Sequence, residues 1–591
     1  MARVNDSQNT SPLEQPSSQA AVEVLLILLV FFLYAGWLPP DVNEAHYLTK
    51  AKHYWQPDWC AGDLFLESAK AHLMFYWTLG WLTLGLPLPA VAWIGRLVTW
   101  LGLAWAWQRL SFALVPRAWI AVLSASLVVL LTRRFHMAGE WLIGGVEAKG
   151  LAYVLVLFAL DAMVRNRWRR VWLFLGGATS LHVLVGGWAW VGAACAWIAC
   201  GRYRPPLKAI APAIAAGLLL ALPGVLIGLS LSWNVDPETL RNANYIYVFR
   251  RLPHHLVFHE FPHAFIARHA LLLGIWLVAS CLSPCRMTAC QLGQRPLRGF
   301  VGGAVVLALI GIVIDQSLLH HLFLAASLLK YYWFRSSDVF LAVGAAMALV
   351  GLVHRGWDQR PVAAPDVTGS GGGEHSGGGG QNNPVVNPAN SGKFCGFRRQ
   401  GLTSKTAAKT LLVGLTLVAA ADLLWTQYER RRDLRPGADR QMLPSWEHDP
   451  QRTQQKYADW RAVCEWIAHH TPPDALFITP RHQQTFKWHA QRAEVFAWKD
   501  VPQDPESVME WWDRLRELYP RAVVRHGLVR HGEERLLELA NEYGAHYVVL
   551  DRDFSRRALR WPRVFPPPAD GMNSYQVYRV PEGEPDPKEP Q

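Results

Sequence analysis

The side chains best suited to chemistry begin where the first apolar run ends, in residues 37–68. Asp41 and Glu44 lie three residues apart, and Tyr47 and Asp63 follow them. A carboxylate at such a place can accept a proton from a reacting hydroxyl or hold a divalent cation. Acids are also favoured near the N-terminus of a helix, where backbone N–H groups are exposed. The residues alone leave a catalytic and a structural interpretation open.

Basic side chains stand at the ends of later apolar runs, where they are candidates for contact with a substrate: Arg250, Arg251, Lys330 and Arg335. The alternative is that they extend along the membrane interface and keep their charge in water. Glu147 and Lys149 flank the start of another apolar run. For this pair, a contact with substrate and a purely structural ion pair are both open.

Three histidines, His254, His255 and His259, occupy one polar segment. Imidazole is a common ligand of metal ions, so these residues are candidates for a metal site. A hydrated, histidine-rich loop is the alternative. The sequence therefore leaves metal dependence open, with Mg²⁺ or Mn²⁺ as the divalent cation that the carboxylates could hold.

The composition is that of a polytopic membrane protein. The chain has 591 residues, of which 51% are hydrophobic and only 18% are charged, and it contains 29 tryptophans. Its formal net charge of +12 is explained by Arg and Lys clustered between apolar runs, where they follow the positive-inside rule and meet anionic lipids. We therefore expect membrane lipids, and no nucleic acid, among its partners.

Apolar runs long enough to cross a bilayer predict about eleven spans: 22–38, 90–113, 118–132, 149–163, 171–200 (divided at Gly186 and Gly187 into two short helices), 209–232, 267–284, 299–316, 337–354 and 408–426. One further run, 72–89, determines on which side of the membrane the later loops lie. If it does not cross the membrane, most clusters of Arg and Lys fall on the cytoplasmic side. We therefore predict that it lies at the interface, with the N-terminus inside and the C-terminus outside.

The chain divides into five predicted parts: a cytoplasmic tail (1–21), a transmembrane domain (22–354) with a large first outer loop (39–89), a flexible Gly-rich cytoplasmic linker (355–407), a last span (408–427) and an extracytoplasmic domain (428–591). In the last part, amphipathic helices alternate with short apolar strands, which is typical of an α/β domain. The predicted fold is thus a polytopic α-helical membrane protein with a C-terminal extracytoplasmic α/β domain.

The first loop resembles that of the GT-C superfamily of membrane glycosyltransferases, which includes protein O-mannosyltransferases and the aminoarabinose transferases that modify lipid A. In that superfamily an acidic motif and a surface segment follow the first span, and here Asp41, Glu44, Tyr47 and Ala51 occupy the corresponding places. The acidic pair is separated by two residues instead of adjacent. The chain is also similar to uncharacterised bacterial multi-span proteins of this type, which implies a place in the bacterial inner (cytoplasmic) membrane.

The resemblance implies transfer of a sugar from a polyprenyl-phosphate donor to an extracytoplasmic acceptor, which can be an envelope glycan, a lipid or a protein. Asp41 is then the first choice for the catalytic base, with Glu44 as its alternate. The implied contacts with substrate are spread over four outer loops: Tyr47, Asp63, Glu147, Lys149, Arg250, Arg251, Lys330 and Arg335.

Two other functions stay open. A transporter or flippase of lipid-linked saccharides needs no carboxylate in the first loop, but it is expected to show internal repeats of spans. A non-catalytic protein of envelope assembly would keep the fold without the chemistry. Neutralising Asp41 and Glu44 separately distinguishes an enzyme from either of them.

Overall fold

The computed structural model describes residues 16–282, 289–357, 405–440, 449–554, 557–567 and 573–581. Most of the predicted tail and most of the predicted linker 355–407 lie outside the described residues.

Eleven apolar helices run through the described residues: α1 Ser17–Ala35, α2 Leu88–Leu114, α3 Ile120–Phe135, α4 Ala148–Val164, α5 Trp168–Leu181, α6 Val183–Ala199, α7 Leu207–Ser230, α8 His263–Cys281, α9 Ala289–Ser317, α10 Arg335–Trp357 and α11 Lys405–Arg432. Seven of them are long and apolar enough to cross a membrane, namely α1, α2 and α7 to α11. The other four have between 14 and 17 residues. The architecture is that of a helical membrane protein.

The long run 171–200 is divided into two helices, but the division lies at His182 and not at Gly186 and Gly187 as predicted. His182 has an extended backbone conformation, and its imidazole Nδ1 accepts a hydrogen bond of 3.3 Å from the N–H of Val185. The side chain therefore caps α6. Gly186 has a different role, because a Cβ atom there would lie 2.3 Å from the backbone of Thr179.

The polar connections between these helices gather at one end of the bundle, here called the loop-rich end: residues 36–87, 136–147, 231–262 and 318–334. Contacts between them hold this end together. His255 Nδ1 is 2.6 Å from the carbonyl oxygen of Ala138, and Lys330 donates to the side chain of Asn244 over 3.2 Å. The segments 115–119, 165–167 and 200–206 lie at the opposite end.

The first loop folds into short helices at the loop-rich end: Glu44–Trp55, Leu64–Glu67, Leu73–Thr78 and the 3₁₀ helix Gly80–Leu84. The two helices that cover most of the predicted interfacial segment 72–89 have six and five residues. At 1.5 to 2 Å per residue, neither can cross a bilayer, as predicted.

Two arginines at the end of α3, Arg133 and Arg134, reach polar groups of α11. Arg134 forms an ion pair of 2.8 Å with Asp422, and Arg133 donates to the hydroxyl of Thr426 over 2.6 Å. Asp422 also accepts from the hydroxyl of Tyr34 in α1 over 3.0 Å. These arginines therefore hold α3 against α11 and α1.

After α11 the chain forms a five-stranded sheet of order β2-β1-β3-β5-β4, built from β1 Leu476–Ile478, β2 Ala493–Glu494, β3 Tyr547–Asp551, β4 Arg563–Phe565 and β5 Tyr575–Arg579. β1 pairs in parallel with β2 and β3, whereas β5 pairs antiparallel with β3 and β4. The helices that accompany it are α12 Pro450–His470, α13 Phe486–Ala490, α14 Pro505–Leu518, α15 Arg521–His526 and α16 Glu533–Glu542. This part is here called the C-terminal region.

Candidate functional site

A cavity of about 420 Å³ opens at the loop-rich end, where α4, α6, α7 and α10 meet the first loop and the C-terminal region. Four residues predicted to contact substrate line it: Tyr47, Lys149, Lys330 and Arg335. The volume is in the range of small-molecule sites. The fold therefore brings together half of the predicted substrate residues.

The floor of the cavity carries a buried carboxylate between two cations. Glu140 is 1% exposed, and its carboxylate oxygens lie 3.0 Å from Lys149 Nζ and 3.1 Å from Arg335 Nε. Burial by itself raises the pKa of Glu140, but the neighbouring ammonium and guanidinium groups more than offset this and hold the pKa below its usual range. Glu140 is thus ionised at neutral pH.

A third cation, Lys330, lies on the side formed by residues 240–247 and α10. Lys330 Nζ is 3.2 Å from the side-chain oxygen of Asn244, a neutral partner. Nearby, the hydroxyls of Tyr247 and Tyr332 are 2.8 Å apart, and the Arg335 guanidinium lies 4.0 Å from the centre of the Tyr332 ring. Because Lys330 has no carboxylate partner among the contacts of the described residues, its charge is available to a ligand.

Another part of the cavity wall is polar and uncharged. His72 Nε2 lies 3.3 Å from the hydroxyl of Tyr47 and 3.4 Å from Gln503 Nε2, and its ring stacks on that of His182 with centroids 5.4 Å apart. Burial, and next the neighbouring His182, hold the pKa of His72 well below its usual range. His72 is therefore neutral and can accept hydrogen bonds here.

An apolar part of the lining comes from the ends of α6 and α7: Val183, Leu184, Val185, Trp188, Val225 and Leu229. Leu229 and other leucines of α7 are exposed on the outer face of the bundle. In a bilayer that face would contact lipid tails. The cavity thus joins a charged floor to an apolar side.

The predicted catalytic acids lie next to this cavity but do not line it. Glu44 is fully buried, and its two oxygens accept 2.6 and 2.5 Å hydrogen bonds from Arg96. Asp41 accepts from the backbone N–H groups of Gly145 over 3.0 Å and of Val42 over 2.8 Å. Both carboxylates connect the first loop to the bundle.

A polar chain links the first loop to the cavity floor. The side-chain amide of Asn43 donates to Glu147 over 2.7 Å, and the Glu147 carboxylate lies 3.5 Å from Lys149 Nζ. Lys149 in turn contacts Glu140. The predicted pair Glu147 and Lys149 therefore exists, and only its lysine lines the cavity.

Asp63 takes part in a buried cluster between the first loop and the C-terminal region, outside the cavity lining. Lys487 Nζ lies 3.1 Å from Asp63, 2.9 Å from Glu494 and 2.8 Å from Asp500. Asp500 also lies 3.0 Å from His46. One cation thus contacts acidic side chains from both parts of the chain, and this cluster is here called the Lys487 cluster.

The two predicted arginines of the segment 231–262 have different surroundings. Arg251 is buried and donates to the carbonyl oxygen of Trp498 over 3.1 Å, with its guanidinium 4.8 Å from the centre of that indole ring. Arg250 is exposed and lies over the ring of Tyr245. Neither lines the cavity.

The three candidate metal histidines have different partners. His255 contacts the carbonyl oxygen of Ala138, and His259 Nδ1 lies 3.0 Å from both oxygens of Asp315. The ring of His254 packs against that of His255 at an interplanar angle of 45°, with centroids 4.0 Å apart. Within the described ranges, no group of three or more His, Cys, Asp or Glu side chains could hold a metal ion.

Several residues of the cavity were not among the predicted site residues: His72, Glu140, Tyr153, His182 and Gln503. His182 interrupts an apolar run, and an ionisable residue at such a place is itself a sign of a cavity. Gln503 lies far along the chain in a polar loop, where nothing in its surroundings in the sequence connects it with the membrane helices.

Comparison with known families finds one match, to the Domain of unknown function (DUF6798), over residues 458–518. This stretch runs from α12 through β1, α13 and β2 to the end of α14. It includes Lys487, Glu494 and Asp500 of the Lys487 cluster, as well as Gln503 of the cavity wall. No curated protein matches the chain.

Proposed function

We propose that this protein is a membrane glycosyltransferase that transfers a sugar from a polyprenyl-phosphate donor to an extracytoplasmic acceptor. The observation that carries the proposal is the cavity itself, which combines three cationic side chains with an apolar side among the helix ends. A lipid phosphate needs cationic side chains to bind its phosphate group and apolar surface to bind its hydrocarbon chain. The resemblance of the first loop to GT-C enzymes supports the same reaction.

The phosphate of the donor is assigned to the wall formed by Lys330, Lys149 and Arg335. Lys149 and Arg335 are already paired with Glu140, whereas Lys330 contacts the neutral Asn244 and the ring of Tyr331. Cations around a phosphate leaving group stabilise the negative charge that develops on it as the bond to the sugar breaks. Lys330 is therefore proposed as the principal contact of the phosphate.

The hydrocarbon chain of the donor is assigned to the apolar side. Val183, Leu184 and Trp188 at the start of α6 face residues near the end of α7 across the cavity. Burying the isoprenoid units there removes apolar surface from water at about 25 cal/mol per Å². The charged end of the donor would then be placed against the floor.

Glu140 is proposed as the carboxylate that accepts the proton of the acceptor hydroxyl. It is the carboxylate of the described cavity lining, and its two cationic neighbours keep it ionised. Asp41, the first choice from the sequence, lies beside Gly145 at the other end of the polar chain. Glu140 is therefore the proposed base, because it lines the cavity and Asp41 does not. A variant of Asp41 serves as the comparison in the experiment.

The proposal requires the loop-rich end to face outward in a bacterial inner membrane, with all eleven apolar helices spanning and the C-terminal region outside. Its support is the charge asymmetry of the bundle. The opposite end carries a concentration of basic residues: Arg165, Arg167, Arg169, Arg170, Arg202, Arg204 and Lys208. Basic residues of this kind remain in the cytoplasm.

The test is a profile of glycans and glycolipids in cells that produce the wild-type chain, Glu140→Gln, Asp41→Asn or no chain. We expect one glycan to be lost without the chain and to fall at least about a hundredfold in Glu140→Gln, because a general base contributes 10²–10⁴-fold to rate. Asp41→Asn is expected to retain product. The amount of each variant in the membrane is measured by immunoblot.

The matched control is Glu260→Gln, which neutralises an exposed acid at the same loop-rich end. It should leave the glycan profile unchanged. A profile that is identical with and without the chain would refute the transferase and favour a transporter or an assembly protein. Loss of product in Asp41→Asn but not in Glu140→Gln would return the base to the first loop.

A further inference from the structure

The C-terminal region supplies part of the cavity wall. Gln503, Pro505 and Val508 line the cavity together with residues of the membrane helices. All three belong to the stretch that matches the Domain of unknown function (DUF6798). A bound headgroup would therefore touch this stretch.

The position of Gln503 is fixed by its neighbours on both sides. Asp504 begins α14, where one carboxylate oxygen accepts from the N–H of Ser507 over 2.9 Å. The other oxygen accepts from the N–H of Ala69 in the first loop over 3.1 Å. Three residues earlier, Asp500 is held in the Lys487 cluster. The segment 500–504 is thus anchored at both ends, and Gln503 is presented to the cavity with little freedom.

The chemistry of this wall suits hydroxyl groups. The carboxamide of Gln503 can donate and accept hydrogen bonds, as can the hydroxyl of Tyr47, and both lie beside the neutral imidazole of His72. Sugar hydroxyls likewise donate and accept. An uncharged wall of this kind can pair with several hydroxyls without burying a charge.

The charge balance of the cavity distinguishes between kinds of sugar. Its described lining carries three cations, Lys149, Lys330 and Arg335, against the single carboxylate of Glu140. A phosphate offsets the excess, but a cationic amino sugar would add a like charge at short range, which is unfavourable in a partly buried site. The cavity therefore favours a neutral headgroup.

We infer that the stretch 458–518 serves as the sugar-recognition element of this protein, and that Gln503, with His72 and Tyr47, binds the hydroxyls of a neutral hexose on the lipid phosphate. This rests on the proposed function, because it assumes a lipid-linked sugar in the cavity. It gives the matched family stretch a role: to close the cavity over the donor headgroup.

The experiment measures the affinity of the full-length protein in nanodiscs for five lipids. These are polyprenyl phosphate, the same lipid carrying glucose, galactose or mannose on its phosphate, and the same lipid carrying cationic aminoarabinose. The variants are Gln503→Ala, the neutral and similarly sized Gln503→Met, Lys330→Met, and Gln454→Ala as the matched control on the exposed face of α12.

For the wild type and Gln454→Ala, at least one neutral hexose form should bind more tightly than polyprenyl phosphate, and the aminoarabinose form should not. Both Gln503 variants should bind the preferred hexose form about three- to tenfold more weakly, because one or two hydrogen bonds are lost. Their affinity for polyprenyl phosphate should stay unchanged. Lys330→Met should weaken binding of every lipid. If Gln503→Ala does not fold, the neutral Gln503→Met decides.

Three outcomes would overturn the inference while leaving the proposed function in place. They are binding of all lipids with equal affinity, a preference for the aminoarabinose form, and a hexose preference that survives both Gln503 variants. Failure of the wild type to bind any of the five lipids would instead refute the proposed function itself.

Discussion

Glu44 receives four hydrogen bonds from three separate parts of the chain. The donors are the Nε and Nη2 atoms of Arg96, the N–H of Val146 and the N–H of Asp41. Arg96 is also fully buried, so neither charge is hydrated. Gly145 is needed beside them, because a Cβ atom there would lie 2.7 Å from Glu44 Cγ. At the residue scale, this carboxylate fastens the first loop to α2 and to the segment before α4.

We therefore predict that Glu44→Gln lowers the stability of the protein, and that it does so more than Asp41→Asn in the same loop. Removing one partner of a buried ion pair leaves the other charge uncompensated and typically costs about 3–5 kcal/mol. The measurement is the thermal unfolding midpoint in detergent, with Asp41→Asn, a half-buried acid of the same loop, as the comparison. Equal midpoints for the two variants would show that the Arg96 pair contributes little.

At the scale of elements, the Lys487 cluster joins α13 and β2 to the first loop. Glu494 is buried there and also accepts from the hydroxyl of Thr479 over 2.7 Å. Burial raises the pKa of Glu494 to about 7, with Lys487 lowering it and Asp63 raising it. In the unfolded chain the same group titrates near 4.3. The folded protein therefore holds a proton on Glu494 over a range of pH in which the unfolded chain has lost it.

This difference predicts a pH dependence with a definite sign. As pH rises from about 4 to about 7, the unfolded chain loses its proton first, so the contribution of Glu494 to stability falls and is lowest above pH 7. Glu494→Gln cannot ionise and removes this slope. We expect the variant to gain stability relative to the wild type between pH 5 and pH 8, as measured by thermal unfolding. A difference independent of pH would contradict the raised pKa.

At the scale of the whole molecule, the bundle separates two chemically different ends. The loop-rich end holds the cavity, the Lys487 cluster and the C-terminal region, whereas the opposite end holds short connections rich in arginine. Such an asymmetry fixes the orientation of a membrane protein through its positive charges. It also places any lipid-linked substrate on one side only.

The orientation can be tested by cysteine labelling in intact cells. A cysteine in place of exposed Gln451, in the C-terminal region, should react with a membrane-impermeant maleimide. A cysteine in place of exposed Lys208, at the opposite end, should react only after the membrane is permeabilised. The wild-type chain, which contains exposed Cys281, provides the background signal. The reverse pattern would place the cavity in the cytoplasm and exclude an extracytoplasmic acceptor.

The sequence by itself determined where the apolar helices lie and which segments are polar. Runs of hydrophobic residues are local signals, and the length needed to cross a bilayer limits how they can be divided, so each predicted run overlaps one of the observed helices or a pair of them. The same reasoning predicted that residues 72–89 do not cross the membrane, and the short helices of this segment agree with that prediction. It misplaced the break in the run 171–200, because a cap by His182 depends on side-chain geometry and not on the glycines nearby.

Only the tertiary structure decided which polar residues share a site. Glu140, His72 and Gln503 come from segments far apart in the chain, and they meet because helix packing and the Lys487 cluster bring those segments to one cavity. Asp41 and Glu44, close together in sequence, instead bind backbone and Arg96. The physical reason is that an apolar run is a local feature, which neighbouring residues in the sequence define. Ion pairs and cavities form between distant segments, and the packing of the whole bundle decides which segments meet.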